Sequence, residues 1–145
     1  MKWTTKRGKI EWAWFESRML VQFSDEVEVA EQLYVLCQWR KKGQVAGEHW
    51  KFAVFYQDKR IYAFDIQPGA YHFNDKAGKG RPMYGQGIDG EHEHTWSADG
   101  DGYGYAEPLQ VQLSTPEINW LVFLKRANIG STDFFHPDNN EPELI

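Results

Sequence analysis

The sequence predicts an α+β domain: a twisted, mostly antiparallel sheet with an amphipathic helix on one face and a second helix near the C-terminus. Three observations carry that prediction. Alternating polarity marks Ile10–Phe15 and Glu91–Trp96 as half-buried strands, and Trp50–Tyr56 and Ile61–Ile66 read as strands on either side of a polar connection. The stretch Asp25–Lys42 places its apolar residues at helical spacing. Thr115-Pro116-Glu117 offers a hydroxyl cap, a proline at the first helical position and then an acid, which is how a helix begins.

Taken in order, Ile10–Phe15 and Met19–Phe23 read as a hairpin turning at Glu16-Ser17-Arg18. Ser24 is a candidate N-cap, followed by Asp25 and Glu26 where the positive helix end favours carboxylates. Val27, Val29, Ala30, Leu33, Tyr34, Leu36 and Cys37 then share half a helical wheel, and Gly43 offers a left-handed stop. Trp50–Tyr56 and Ile61–Ile66 are strands joined by Gln57-Asp58-Lys59-Arg60. Gln67-Pro68-Gly69 suits a type II turn, with Ala70–Phe73 as a third strand of the meander. Asn74–Gly90 is a long loop with five glycines, a length that is usually functional or disordered. Glu91–Trp96 returns as a strand, and Pro116–Ala127 is the last helix, ending before Gly130. The chain of 145 residues suits one domain, 1–135, with an acidic, Pro- and Asn-rich tail at 136–145 expected to be flexible.

Composition narrows the function classes. Aromatics make up 16% of residues, so core packing or ligand-facing rings must account for them. The net charge of −5 argues against non-specific DNA binding through the whole surface, while leaving room for a local basic patch. Cys37 is the single cysteine, so neither a disulfide framework nor a cysteine zinc site is expected. No apolar run reaches the roughly 18 residues that span a bilayer, and MKWTTKRGK has no apolar signal core. A cytoplasmic protein with no membrane partner is the expectation.

The chemistry concentrates in Ile61–Trp96, which holds three of the five histidines. His92 and His94, two apart on a strand, point the same way. If the strands are neighbours, Asp65, His72, His92 and His94 share one face. Three imidazoles and a carboxylate suit zinc or another divalent transition metal. Without metal, imidazoles with a pKa of about 6.5 suit acid–base work. The same residues also fit a plainer role as hydrogen-bonded surface histidines. Glu91 and Glu93 would face the other way. Lys76, Lys79 and Arg81 put positive charge in the intervening loop, and Tyr71, Tyr84, Trp96, Tyr103 and Tyr105 offer stacking surfaces or sheet packing. Gly85–Gly90 matches GxGxxG, but no strand leads in and no helix follows, so a loop is expected. Asp99 and Asp101 imitate a calcium loop without its twelfth-position acid.

The order Phe64-Asp65, His72-Phe73-Asn74, His92-Glu93-His94, Gly102–Leu109, Phe123-Leu124 and Asn128-Ile129 resembles an uncharacterised family of small bacterial and phage proteins. More distantly it is similar to the TumE-type toxins of toxin–antitoxin pairs, which also carry an Asp, a His and a later His cluster in a small sheet. The resemblance covers Lys51–Ile129; the hairpin Ile10–Phe23 has no counterpart in it. It implies a toxin-like or defence-related nuclease. The corresponding expectation is a ribonuclease with His72 as general base and His92 or His94 as acid. Asp65 orients an imidazole, Lys79 and Arg81 stabilise the phosphate, and Tyr84 and Tyr103 stack on bases. A metal-dependent version uses Asp65, His72, His92 and His94 as ligands. The other expectation is a non-enzymatic module that binds a protein partner, such as an antitoxin or a protein of a defence or regulatory pathway.

Overall fold

The structure, a computed structural model, describes residues 4–7, 12–22, 29–42, 48–67, 69–100, 104–130 and 134, with side chains from residue 33 onward in that set apart from 41, 42 and 48. The expected cap Ser24, Tyr103 and the tail 136–145 lie outside the described residues. The fold is α+β. Seven strands form one antiparallel sheet, in the order β1 (Thr4–Arg7), β2 (Trp12–Gln22), β3 (Val29–Lys42), β4 (Glu48–Tyr56), β5 (Lys59–Ile66), β8 (His92–Thr95) and β9 (Tyr105–Pro108). Between β5 and β8 the chain makes a separate two-stranded sheet, β6 (Tyr71–Phe73) with β7 (Gly87–Asp89). One helix, α1 (Pro116–Arg126), is found among the described residues.

Three expectations change. The amphipathic helix over Asp25–Lys42 is instead a long central strand from Val29 onward, paired with β2 on one side and β4 on the other. Its run Leu33–Cys37 is apolar at every position, and such a run satisfies a helical half-wheel and a doubly covered strand equally well. Burial follows the strand period: Val35, Cys37 and Trp39 join the main core, while Leu36 packs with Ala53 and Ala63 on the other face. The hairpin at Glu16-Ser17-Arg18 is also absent, because β2 runs unbroken from Trp12 to Gln22 with β3 pairing along it. Finally, Tyr71–Phe73 is not a third strand of the meander. It pairs with β7, inside the segment expected to be loop.

The remaining local expectations follow their chemistry. β4 and β5 join through Gln57 and Asp58, with φ of 50° and 61°, the left-handed pair that a two-residue hairpin needs. Gly69 has φ of 73°, and Ala70 N–H donates to the Gln67 carbonyl across the turn. In α1, Thr115 Oγ1 accepts from Ile118 N–H, Pro116 opens the first turn and Arg126 ends the last. Asn128 rather than Gly130 takes the left-handed position after the helix, a conformation asparagine tolerates.

Helix α1 covers one face of the sheet. Trp120, Phe123 and Leu124 pack on Trp50, Phe52, Phe64 and Ile66, with Phe52 and Trp120 edge to face at 5.1 Å. This packing takes up part of the aromatic content, each buried ring contributing about 1.5–3 kcal/mol. At the end of the helix, Arg126 makes a forked ion pair to Glu93 and also donates to the Tyr62 hydroxyl, which donates to Glu93 at 2.7 Å. The face opposite α1 is left for the histidines.

Candidate metal centre

The register of β5 and β8 sets Asp65 opposite His92 and Ala63 opposite His94. On the other flank His94 lies opposite Ala106 of β9. Two alanines leave room for the His94 ring to lean toward Asp65. His94 Nε2 lies 2.8 Å from Asp65 Oδ2, and His92 Nε2 lies 3.2 Å from the same oxygen. Both histidines are 3% exposed.

The far side of each ring is tied to backbone. His92 Nδ1 donates to the Gly90 carbonyl at 2.9 Å, and His94 Nδ1 donates to the Gly104 carbonyl at 3.1 Å. A carbonyl oxygen only accepts, so both Nδ1 atoms carry the proton. Gly104 gets this close because it lacks a side chain: a Cβ there would sit 2.9 Å from the Thr95 carbonyl oxygen and 3.1 Å from His94 Cβ.

His72 arrives from the second sheet. Its ring centroid is 4.8 Å from that of His94 and 5.5 Å from that of His92. Asn74, fully buried, holds this element in place by clasping the free edge of β9. Its side chain donates to the carbonyls of Ala106 and Met83 and accepts from Ala106 N–H. Gly90 N–H to the Ala70 carbonyl closes the hairpin base at 2.7 Å. One ligand atom from each of His72, His92 and His94 lies within 4.8 Å of the others, close enough to hold a metal ion. The expected convergence of Asp65, His92 and His94 is therefore direct, and His72 joins them from outside the main sheet.

Neutral rings held in this way would aim two Nε2 lone pairs at a carboxylate. Three acceptors facing one another need either protons on the imidazoles or a cation among them. In the protonated state the electrostatics agree. Burial alone lowers the His92 pKa, but the hydrogen bonds to Asp65 and Gly90 raise it above the usual imidazole value. Burial pushes Asp65 up, yet the hydrogen bonds from both imidazoles and the Lys51 charge hold it well below the usual carboxylate range. Lys51 Nζ is 3.5 Å from Asp65 Oδ1. His72 is lowered, first by burial and then by the charge of His94 and His92. A metal cation supplies the alternative, with the backbone-bonded Nδ1 atoms fixing the tautomer that presents Nε2.

Of the loop residues expected to bind substrate, Arg81 is committed to other partners. Arg81 donates to Thr95 Oγ1 and the Trp96 carbonyl, with its guanidinium 3.8 Å above the Tyr105 ring. Thr95 and Tyr105 alternate to the face opposite His94 and Ala106, so Arg81 is not brought to the imidazoles. The Lys79 N–H is bonded to Asp99, which also accepts from Gly78 N–H and Ser97 Oγ. Asp99 thus closes a turn. Tyr84 is exposed on the following turn, and Tyr105 is buried, its hydroxyl accepting from Met83 N–H. Sequence reasoning missed Lys51, Asn74, Gly90 and Gly104. Only the backbone and cross-strand register give these residues their roles. An open hollow of about 240 Å³ borders His72, lined also by Phe73, Asn74, Lys76 and Gly104. Comparison with protein-family models, with curated proteins and with solved structures returned no match.

Proposed function

We propose that this protein is a metal-dependent phosphodiesterase of ribonuclease type, with His72, His92 and His94 as ligands to a divalent transition metal. Zinc is the ion that an all-imidazole set suits best. The observation that carries this reading is the pair of Nδ1–H bonds to the Gly90 and Gly104 carbonyls, which leaves two Nε2 atoms converging on Asp65 Oδ2. Burial of both rings favours ligation over proton delivery to a nucleotide-sized substrate. A bound divalent ion supplies Lewis acidity and lowers the pKa of a water toward about 7. Asp65, facing the same two Nε2 atoms, would orient a water there. The hollow beside His72 admits substrate. A toxin-like or defence role, with an antitoxin as protein partner, fits this activity through the resemblance in residue order.

The test is elemental analysis and zinc titration of the purified protein, alongside cleavage of single-stranded RNA. Wild type is expected to take up about one equivalent and to cleave RNA, with loss on chelation. The double variant His92→Ala/His94→Ala is expected to lose zinc binding and at least about 100-fold of the activity. Wild type that binds no transition metal sinks the reading. One observation favours a second reading, a protein-binding module: Tyr71 and Phe73 stand 63% and 46% exposed on the outer side of β6. A wild type without nuclease activity that captures one partner through Tyr71 and Phe73 supports that alternative.

A further inference from the structure

The cross-strand register lines up more than the histidines. Gln38 of β3 is opposite Lys51 of β4, Lys51 is opposite Asp65 of β5, and Asp65 is opposite His92 of β8. These four side chains form one row on the face opposite α1. The next pair on that face, two residues along each strand, is Arg40 opposite His49. Strands are spaced about 4.8 Å apart and rise about 3.4 Å per residue, so Arg40 lies roughly 12 Å from Asp65 along the sheet. Gln38, Arg40, His49, Lys51, Asp65 and Gln67 line a recess. Its volume is about 30 Å³, room for about one water-sized group. Arg40 and Lys51 are cationic, in a chain whose acids outnumber its bases, 21 to 16; burial and the Arg40 charge lower the pKa of His49, which offers a ring hydrogen bond instead.

We infer that this recess is the anion subsite of the proposed metal centre, taking the phosphodiester backbone of a single-stranded nucleic acid through Arg40, His49 and Lys51. The inference rests on the metal-centre reading and gives it a substrate class and a direction of approach. A recess this small accepts a phosphoryl oxygen and not a nucleobase, so the bases stay outside and the site is indifferent to sequence. Arg40 supplies a permanent charge with a planar fork suited to phosphate. Lys51, between Arg40 and Asp65, links the backbone track to the reacting centre.

The experiment titrates a fluorescent phosphorothioate oligonucleotide of about twelve nucleotides against the full-length protein, before and after zinc addition, between about 50 and 200 mM salt. Wild-type affinity is expected to fall with salt. Arg40→Gln and His49→Gln are each expected to weaken binding about threefold or more, and Arg40→Gln to flatten the salt slope by about 0.7. Arg40→Lys should recover part of the affinity, which separates lost charge from a damaged fold. Zinc uptake should be unchanged in all three, and Lys79→Gln should bind as wild type does. Equal binding by Arg40→Gln and wild type, or a loss in Lys79→Gln as large as in Arg40→Gln, overturns the subsite. Arg40-dependent binding by a wild type that takes up no zinc upholds the subsite while overturning the metal-centre reading. Zinc-dependent cleavage unaffected by Arg40→Gln does the reverse.

Discussion

At the scale of single residues, the centre depends on groups with no chemistry of their own. Gly104 is the clearest. Its carbonyl holds His94 Nδ1, and it approaches β8 so closely that a methyl group would press on the Thr95 carbonyl. Gly104→Ala is expected to cost about 1–3 kcal/mol through overpacking and to weaken zinc binding about 10- to 100-fold by releasing the His94 ring. A thermal melt and a zinc competition titration check the two effects separately. Ala63 and Ala106 act in a similar way, flanking His94 so that its ring can tilt toward Asp65. Asn74 replaces a missing strand with its side-chain amide, bonding both backbone groups of Ala106.

At the scale of elements, β8 holds two unrelated functions on its two faces. His92 and His94 point to the centre, while Glu93 points to α1 and receives Arg126 and Tyr62. The phenol of Tyr62 is pushed up to about 12, by burial first and then by its hydrogen bond to Glu93. Glu93→Ala removes the acceptor from both partners, for an expected loss of about 1–3 kcal/mol. A urea denaturation curve reads that loss. Ultraviolet titration of Tyr62 should show its pKa fall toward the ordinary value of about 10. Among the short segments, β8 and α1 were legible from an alternation and from the cap Thr115-Pro116-Glu117, and β4 and β5 from short apolar runs on either side of a polar turn. The β3 strand was not, because Leu33–Cys37 is apolar throughout and only its neighbours, β2 and β4, select the extended form. The β6–β7 pair was hidden for a related reason: each strand is three residues long, too short to establish a period.

At the scale of the whole molecule, the centre bridges two sheets. His92 and His94 belong to the main sheet and His72 to the small one, so a metal held among them would tie the β6–β7 hairpin to the main sheet. Binding stabilises whatever state forms the site. Zinc is therefore expected to slow amide hydrogen exchange in Tyr71–Phe73 and Gly87–Asp89 more than in β4. The effect has a pH sign. In the metal-free protein the raised His92 pKa adds stability that is complete below the unfolded value of about 6.5 and fades as pH rises through the folded one. The depressed Asp65 carboxyl adds stability above about pH 3.9, lost as pH falls toward its folded value. Zinc takes neutral imidazoles, so its contribution grows as protons leave. Urea midpoints are expected to fall on the alkaline side of about pH 6.5 with chelator present, and the zinc-induced increment to rise over the same range. An increment that shrinks as pH rises contradicts imidazole ligation.

The sequence by itself determined which residues could do chemistry and which short segments could carry them. His-x-His on a strand is a local fact, legible from spacing two. The tertiary structure alone decided that His72 reaches the pair from a second sheet, that Arg81 is held on the opposite face, and that Lys51, His49 and Arg40 line up beside Asp65. These last are matters of cross-strand register. A register is a relation between distant segments, selected by which faces can be buried together, and no local pattern in the chain encodes it.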